Sequence, residues 1–163
     1  MRSYPGLTSA DVELWEQAVA LLSRTYRHER HEVAAALRTR SGRVHTGLHV
    51  AGSAGRSSIC AEGIALGAAL TDGDREVAAV VAVLYRPAGT VRVIAPCGVC
   101  RELLYDYCPD ASIYVHEGTP GQPTPQPVRD PATVGFSQAE PAMGTARKVL
   151  VRDLMPGKNP RAW

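Results

Sequence analysis

Between Thr8 and Arg27 the apolar residues Val12, Trp15, Val19 and Leu22 recur at intervals of three and four positions. That spacing predicts an amphipathic first helix, with Thr8 or Ser9 as its N-cap. Two short runs, "EVAAALRT" and "RVHTGLHV", flank "RSGR" and predict a β-hairpin from Glu32 to Val50. Their small apolar residues imply that another element packs closely on top. The Gly- and Ser-rich "AGSAGRSS" leads into "CAEGIALGAALTDG", which predicts a helix from about Cys60 to Thr71, capped by Ser57 or Ser58 and closed at Asp72-Gly73. "VAAVVAVLY", Val77 to Tyr85, is apolar without interruption and predicts a strand buried on both faces. "VRVIAP" is a second extended piece ending at Pro96. "CGVCRELLYDYC" sets Leu103, Leu104 and Tyr107 on one helical face, and "SIYVHEG" returns as a strand. From Thr119 to Gly144 the density of Pro and Gly predicts a long excursion with little regular structure, before "RKVLVRDLMPG" supplies a last strand and short turn. Strands alternating with helices imply an α/β layered sheet. There is no internal repeat, no heptad and no phosphate-binding glycine loop.

Composition narrows the classes. The 163 residues fit one domain, 1–163, with 119–144 as its surface excursion. A hydrophobic share of 45% and a formal net charge of +2 exclude an acidic tail and a basic nucleic-acid clamp. Arg24, Arg27 and Arg30 form no stripe interleaved with aromatics, so no nucleic-acid surface is expected. The start "MRSYPGLTSADVELWEQ" has no apolar core of signal-peptide length, and no run is long enough for a bilayer span. A cytoplasmic protein is the expectation. In a reducing compartment a C-x-x-C pair more often holds metal or does redox work than forms a disulfide, which directs attention to Cys97 and Cys100.

Cys60 and Glu62 stand at one predicted helix start, and "PCGVC" stands at another. Unpaired amides and the positive end of the helix dipole favour thiolates at such positions, and three thiolates suit zinc. Cys108 is the obvious fourth ligand, but along a helix it lies about 12 Å from Cys100, too far to share a metal. The fourth position is then left to water, as in a catalytic zinc site. Glu62, one residue beyond Ala61, is placed to take and return a proton. The competing readings are a closed structural zinc site, buried thiols beside a Glu that steadies its helix dipole, a C-x-x-C redox protein, and a catalytically silent zinc-stabilised binding protein.

Cys60-Ala61-Glu62 together with Pro96-Cys97-Gly98-Val99-Cys100-Arg101 resembles the cytidine deaminase superfamily, in particular the three-cysteine cytidine deaminases and the blasticidin S deaminases. The resemblance covers about Glu32 to Val115 and returns at "VLVRDLMP". It implies a three-layer α/β/α sandwich around a mixed five-stranded sheet, a homotetramer with active sites near subunit interfaces, and hydrolytic deamination at C4 of a cytosine ring. Carried over by motif position, Cys60, Cys97 and Cys100 bind Zn2+, Glu62 shuttles the proton, and backbone groups at Ala61 and near Pro96 contact the base. The substrates implied are water and a small cytosine nucleoside or blasticidin S-like antibiotic. The departures concern the sugar. Cytidine deaminases place Asn-x-Glu after the Thr-Gly of the hairpin, where this chain has His49-Val50-Ala51. The loss of the carboxylate directs the reading toward a non-standard sugar, with an ordinary cytidine or deoxycytidine deaminase as the alternative. His31 stands where the family has an aromatic beside the base; it and His49 are either substrate contacts or packed histidines. Gly63 replaces the family's Arg, which leaves Arg101 either to bond the thiolates or to pair with Glu102 or Asp106. The terminal Trp163 resembles the near-terminal Trp of blasticidin S deaminases and suggests a tail docked over the active site.

Overall fold

The structure, a computed structural model, describes residues 7–86, 90–116, 140–142 and 146–154. Helix α1 (Ser9–Thr25) starts at a capping box: the Asp11 amide bonds the Thr8 hydroxyl, and the Asp11 carboxylate accepts from the Thr8 amide at 3.0 Å. Its buried stripe is Leu14, Trp15, Ala18, Leu21 and Leu22, so the apolar face is centred beside the predicted one, with Val12 and Val19 at its margin. β1 (Val33–Thr39) and β2 (Val44–Leu48) form the expected antiparallel hairpin, with Ala35 opposite Gly47. Gly42, at φ 88°, takes the left-handed position that the tight turn demands.

Helix α2 (Ala61–Thr71) lies on this hairpin. A Cβ on Gly47 would stand 2.2 Å from the Ala61 carbonyl oxygen and 2.5 Å from the Ala65 nitrogen, so only glycine lets the helix backbone rest on β2. The predicted serine cap is not what starts α2. Its N-cap is Cys60, without a side-chain cap bond, while Ser58 Oγ accepts from the Gly52 amide and Ser57 Oγ donates to the Ala54 carbonyl. The serines fold the loop and leave the first amides of α2 free of a serine cap.

β3 (Val77–Arg86) is the central strand, antiparallel to β1. Its other edge is divided. Val83 to Arg86 pair antiparallel with β4 (Thr90–Val93), whereas Ala79 and Val80 pair parallel with β5 (Ser112–His116). β6 (Glu140–Ala142) adds parallel to β4, and β7 (Ala146–Leu150) antiparallel to β5. The sheet is mixed, as expected, but has seven strands where five were expected: β2-β1-β3-β5-β7 form one run, and β4 and β6 add to the other part of the β3 edge. The strand at 140–142 departs from the predicted irregular excursion; the rest of that segment, like Trp163, lies outside the described residues.

Side chains of β1 and β3 alternate between two cores. Ala34, Ala36, Val81 and Val83 face α1, whereas Ala35, Leu37, Val80 and Ala82 face α2 and helix α3 (Gly98–Tyr107), completing three layers. The buried face of α3 is Cys100, Leu104 and Tyr105. Tyr107, expected on that face, is 55% exposed because Tyr105 takes the inward position. Among the described residues no helix is long and apolar enough to cross a membrane.

One buried charge has no counterpart in the pattern analysis. Asp11 is fully covered and bonds the Tyr114 hydroxyl, Arg38 and Lys148, tying α1 to β1, β5 and β7. Burial pushes its carboxyl upward, but the bonds from Tyr114, from Thr8 and from Lys148 outweigh this and hold it at about 2. A carboxyl lowered by folding contributes stability above its unfolded value and loses it as pH falls toward the folded one. Asp11→Asn is expected to cost about 2–4 kcal/mol at neutral pH, and the gap from wild type should narrow between about pH 4 and pH 2. Chemical denaturation across that range reads it directly; a gap that is constant with pH would assign Asp11 to capping alone.

Candidate metal centre and catalytic cavity

The divided edge of β3 builds the site. The last β4-side bond is from the Ile94 amide to the Ala82 carbonyl, and two residues back Val80 already pairs with β5. The chain from Ile94 to Cys97 must leave the sheet there, and it opens a cavity of about 210 Å³. Val33, His49, Cys60, Ala61, Glu62, Ile94, Ala95 and Cys97 line it.

Two helix starts meet at its floor. Cys60 is the N-cap of α2, Cys97 is the N-cap of α3, and Cys100 lies one turn into α3. Their three sulfurs all lie within 4.8 Å of one another, with Cys60 Sγ and Cys97 Sγ 3.6 Å apart. A tetrahedral ion with metal–sulfur bonds of about 2.3 Å requires sulfurs about 3.8 Å apart, so the donor set fits zinc in spacing as well as in chemistry. Cys108 is buried apart from the group among core residues, as the helical rise required, and burial pushes its thiol up to about 12.

The thiols do not respond uniformly to the helix ends. Burial raises Cys97, but bonds from the Cys100 amide and from the neighbouring thiols outweigh it and leave it lowered. Cys60 and Cys100 are raised, first by burial; for Cys100 the charges of Glu62, Cys60 and Cys97 add to the effect. Three sulfurs and a carboxylate packed this closely disfavour one another's charge. A divalent cation among them reverses that balance, which is a further sign that the cluster is a cation site.

Glu62, in the first turn of α2, is 4% exposed. Burial raises its carboxyl above the usual range, opposed by its own amide, the Cys100 thiol and the charge of His49. His49 lines the cavity, and its buried Nδ1 has no hydrogen-bond partner among the described residues. Its carbonyl lies 2.9 Å from His31 Nδ1, so His31 stands behind the lining and acts on the main chain of His49. Ala51 is also outside the lining, held between its amide bond to the Arg30 carbonyl and a bond from Arg30 Nη1 to its own carbonyl. Arg101 makes neither contact expected of it among the described residues. Its Nε donates to the Pro96 carbonyl at 3.0 Å and braces the chain entering α3. Val33, Ile94 and Ala95 were missed by motif reading because apolar lining leaves no chemical signature; their positions next to His31 and Pro96 were the available signal.

The family model for the cytidine and deoxycytidylate deaminase zinc-binding region matches residues 8–116. The blasticidin-S deaminase of Bacillus cereus is 35% identical over 113 residues, covering 67% of this chain and 81% of that protein. A cytidine deaminase of Halalkalibacterium halodurans is 35% identical over 89 residues, 54% of this chain and 64% of that one. The crystal structure of cytidine deaminase from Burkholderia pseudomallei superposes with a TM-score of 0.62 at 26% identity, covering 93% of this chain and 98% of that chain. With the motif, the sulfur geometry and the fold in agreement with these matches, the chain belongs to the cytidine and deoxycytidylate deaminase family.

Proposed function

We propose that the protein is a zinc-dependent hydrolase that exchanges the 4-amino group of a cytosine nucleoside, or of a cytosine nucleoside antibiotic of the blasticidin S kind, for oxygen and releases ammonia. The observation that carries this is the placement of a buried carboxyl, Glu62, and two of three clustered cysteine sulfurs on the wall of one small cavity. Cys60, Cys97 and Cys100 hold the zinc, which when bound supplies Lewis-acid activation of the attacking water. Glu62 takes one proton from that water and delivers it to the ring nitrogen, then takes the proton left on the added hydroxyl and delivers it to the departing amine, so the water supplies the oxygen and both protons. The backbone at Ala61 and Ala95 borders the ring, and Val33 and Ile94 exclude bulk water from it. His49 stands on the sugar side, and His31 and Arg101 hold main chain around it.

The relatives support two substrates, cytidine and blasticidin S, and His49 and Ala51 in place of the family's Asn-x-Glu favour the second or another non-standard sugar. Turnover of cytidine, deoxycytidine, cytosine, blasticidin S and adenosine decides among them; no ammonia from any cytosine compound would refute the proposal. His49→Asn with Ala51→Glu should raise kcat/KM for cytidine by about tenfold, the worth of a charge-assisted hydrogen bond. Unchanged or lower activity there would detach sugar choice from these positions. A homotetramer is consistent with the exposed Ile59, Val99 and Tyr107 near the two helix starts and on α3. A cytoplasmic setting is consistent with four free cysteines.

A further inference from the structure

The three sulfurs are not held alike. Cys97 Sγ accepts from the Cys100 amide at 3.5 Å, within the turn that opens α3. Cys60 has no bond to an amide of its own helix: it is the N-cap of α2, its side chain caps nothing, and the residue is only half-buried. Its position must come from the chain that delivers it. That chain is the 49–59 loop, and it is closed twice. Val50 and Ile59 exchange both amide bonds, at 3.0 and 2.9 Å, as a single antiparallel bridge. Inside the bridge the Gly52 amide donates to Ser58 Oγ at 3.0 Å, so a side chain two residues before Cys60 is tied to the far limb of the loop. The limbs are pressed together there: a Cβ on residue 52 would stand 1.9 Å from Ser57 Oγ and 3.0 Å from the Ser57 carbonyl carbon. The far limb is itself anchored, since the amide of His49, on the cavity wall, bonds the Val33 carbonyl at 2.9 Å. Cys60 is thus referred to the sheet through Ser58.

We propose that Ser58 is a positioning residue for the metal centre: its hydroxyl holds the limb that ends in Cys60, and so sets where that sulfur meets Cys97 and Cys100. The inference rests on the zinc reading of the three cysteines and adds to it a side chain that touches neither metal nor substrate. Groups that orient a ligand from one step away are worth about 10- to 100-fold in metal affinity. Ser58 acts through the main chain, so the lower figure applies.

The test is zinc affinity, by competition with a chromogenic chelator, together with thermal midpoints with and without zinc, in wild type, Ser58→Ala, Ser58→Thr and Gly52→Ala. Ser58→Ala should weaken zinc binding about tenfold. Its midpoint should fall further below wild type with zinc than without, because lost metal affinity destabilises only the zinc-bound protein. Ser58→Thr keeps the hydroxyl on an extended backbone, φ −72° and ψ 141°, that threonine adopts freely, and should bind zinc as wild type does. Gly52→Ala forces the same tie apart from its other end and should weaken zinc as Ser58→Ala does. Equal falls in the two midpoints with unchanged zinc affinity would make Ser58 a folding residue and overturn the inference. So would a threonine variant no better than alanine, or wild-type affinity in Gly52→Ala. Wild-type protein that takes up no zinc overturns instead the zinc reading itself.

Discussion

Glu62→Gln should purify with its zinc, fold as the wild type does, and turn over substrate about 100- to 10,000-fold more slowly, the worth of a positioned general acid/base. The side chain is 4% exposed, so an amide of the same shape preserves the packing of the first turn of α2. What it cannot do is take up a proton and release it. Burial makes the native carboxyl hold a proton more tightly than an exposed Glu, bringing its affinity toward that of the groups it must exchange with. The ionised form starts the reaction, so kcat/KM should decline as pH falls and the carboxyl takes up a proton. The variant should lack that limb. Wild-type turnover in Glu62→Gln removes the carboxyl from the proton path, and loss of zinc makes it a ligand.

Cys100→Ala should lower zinc affinity by more than about 100-fold, since even partners one step removed from a metal are worth about 10- to 100-fold. Cys100 is 1% exposed, and its amide donates to Cys97 Sγ at 3.5 Å, so it fixes both its own sulfur and its neighbour's. Zinc loss should also lower the thermal midpoint, because a metal bound to the folded chain stabilises it by mass action. Cys108→Ala is the control: it removes a buried thiol from the opposite end of the same helix and should keep full zinc content. Equal zinc loss in both variants would mean that the metal sits elsewhere or that the helix, not the sulfur, is what matters.

Much of this was legible in the sequence, for identifiable reasons. The cysteine spacing, with Glu62 two residues after Cys60, specifies a cation site wherever two helix starts converge, and "VAAVVAVLY" can only be a strand covered on both faces. Patterns fail where one residue serves two masters. Ser57 and Ser58 have the chemistry of caps, yet the loop uses their hydroxyls, and the N-cap is given to Cys60. Tyr107 has helical spacing for burial, but Tyr105 fills the space. Asp11 reads as a first-turn acid, and only the long-range partners Tyr114 and Lys148 reveal it as buried. Least legible was the contact from Arg30 to Ala51, which spans 21 positions and which no local pattern encodes.

The most direct measurement is zinc K-edge X-ray absorption on protein purified with its metal, combined with zinc counting. A catalytic centre of Cys60, Cys97 and Cys100 predicts one zinc per chain, three sulfurs at about 2.3 Å and one lighter oxygen or nitrogen neighbour. Four sulfurs, or protein that carries no zinc and takes none up, would contradict it.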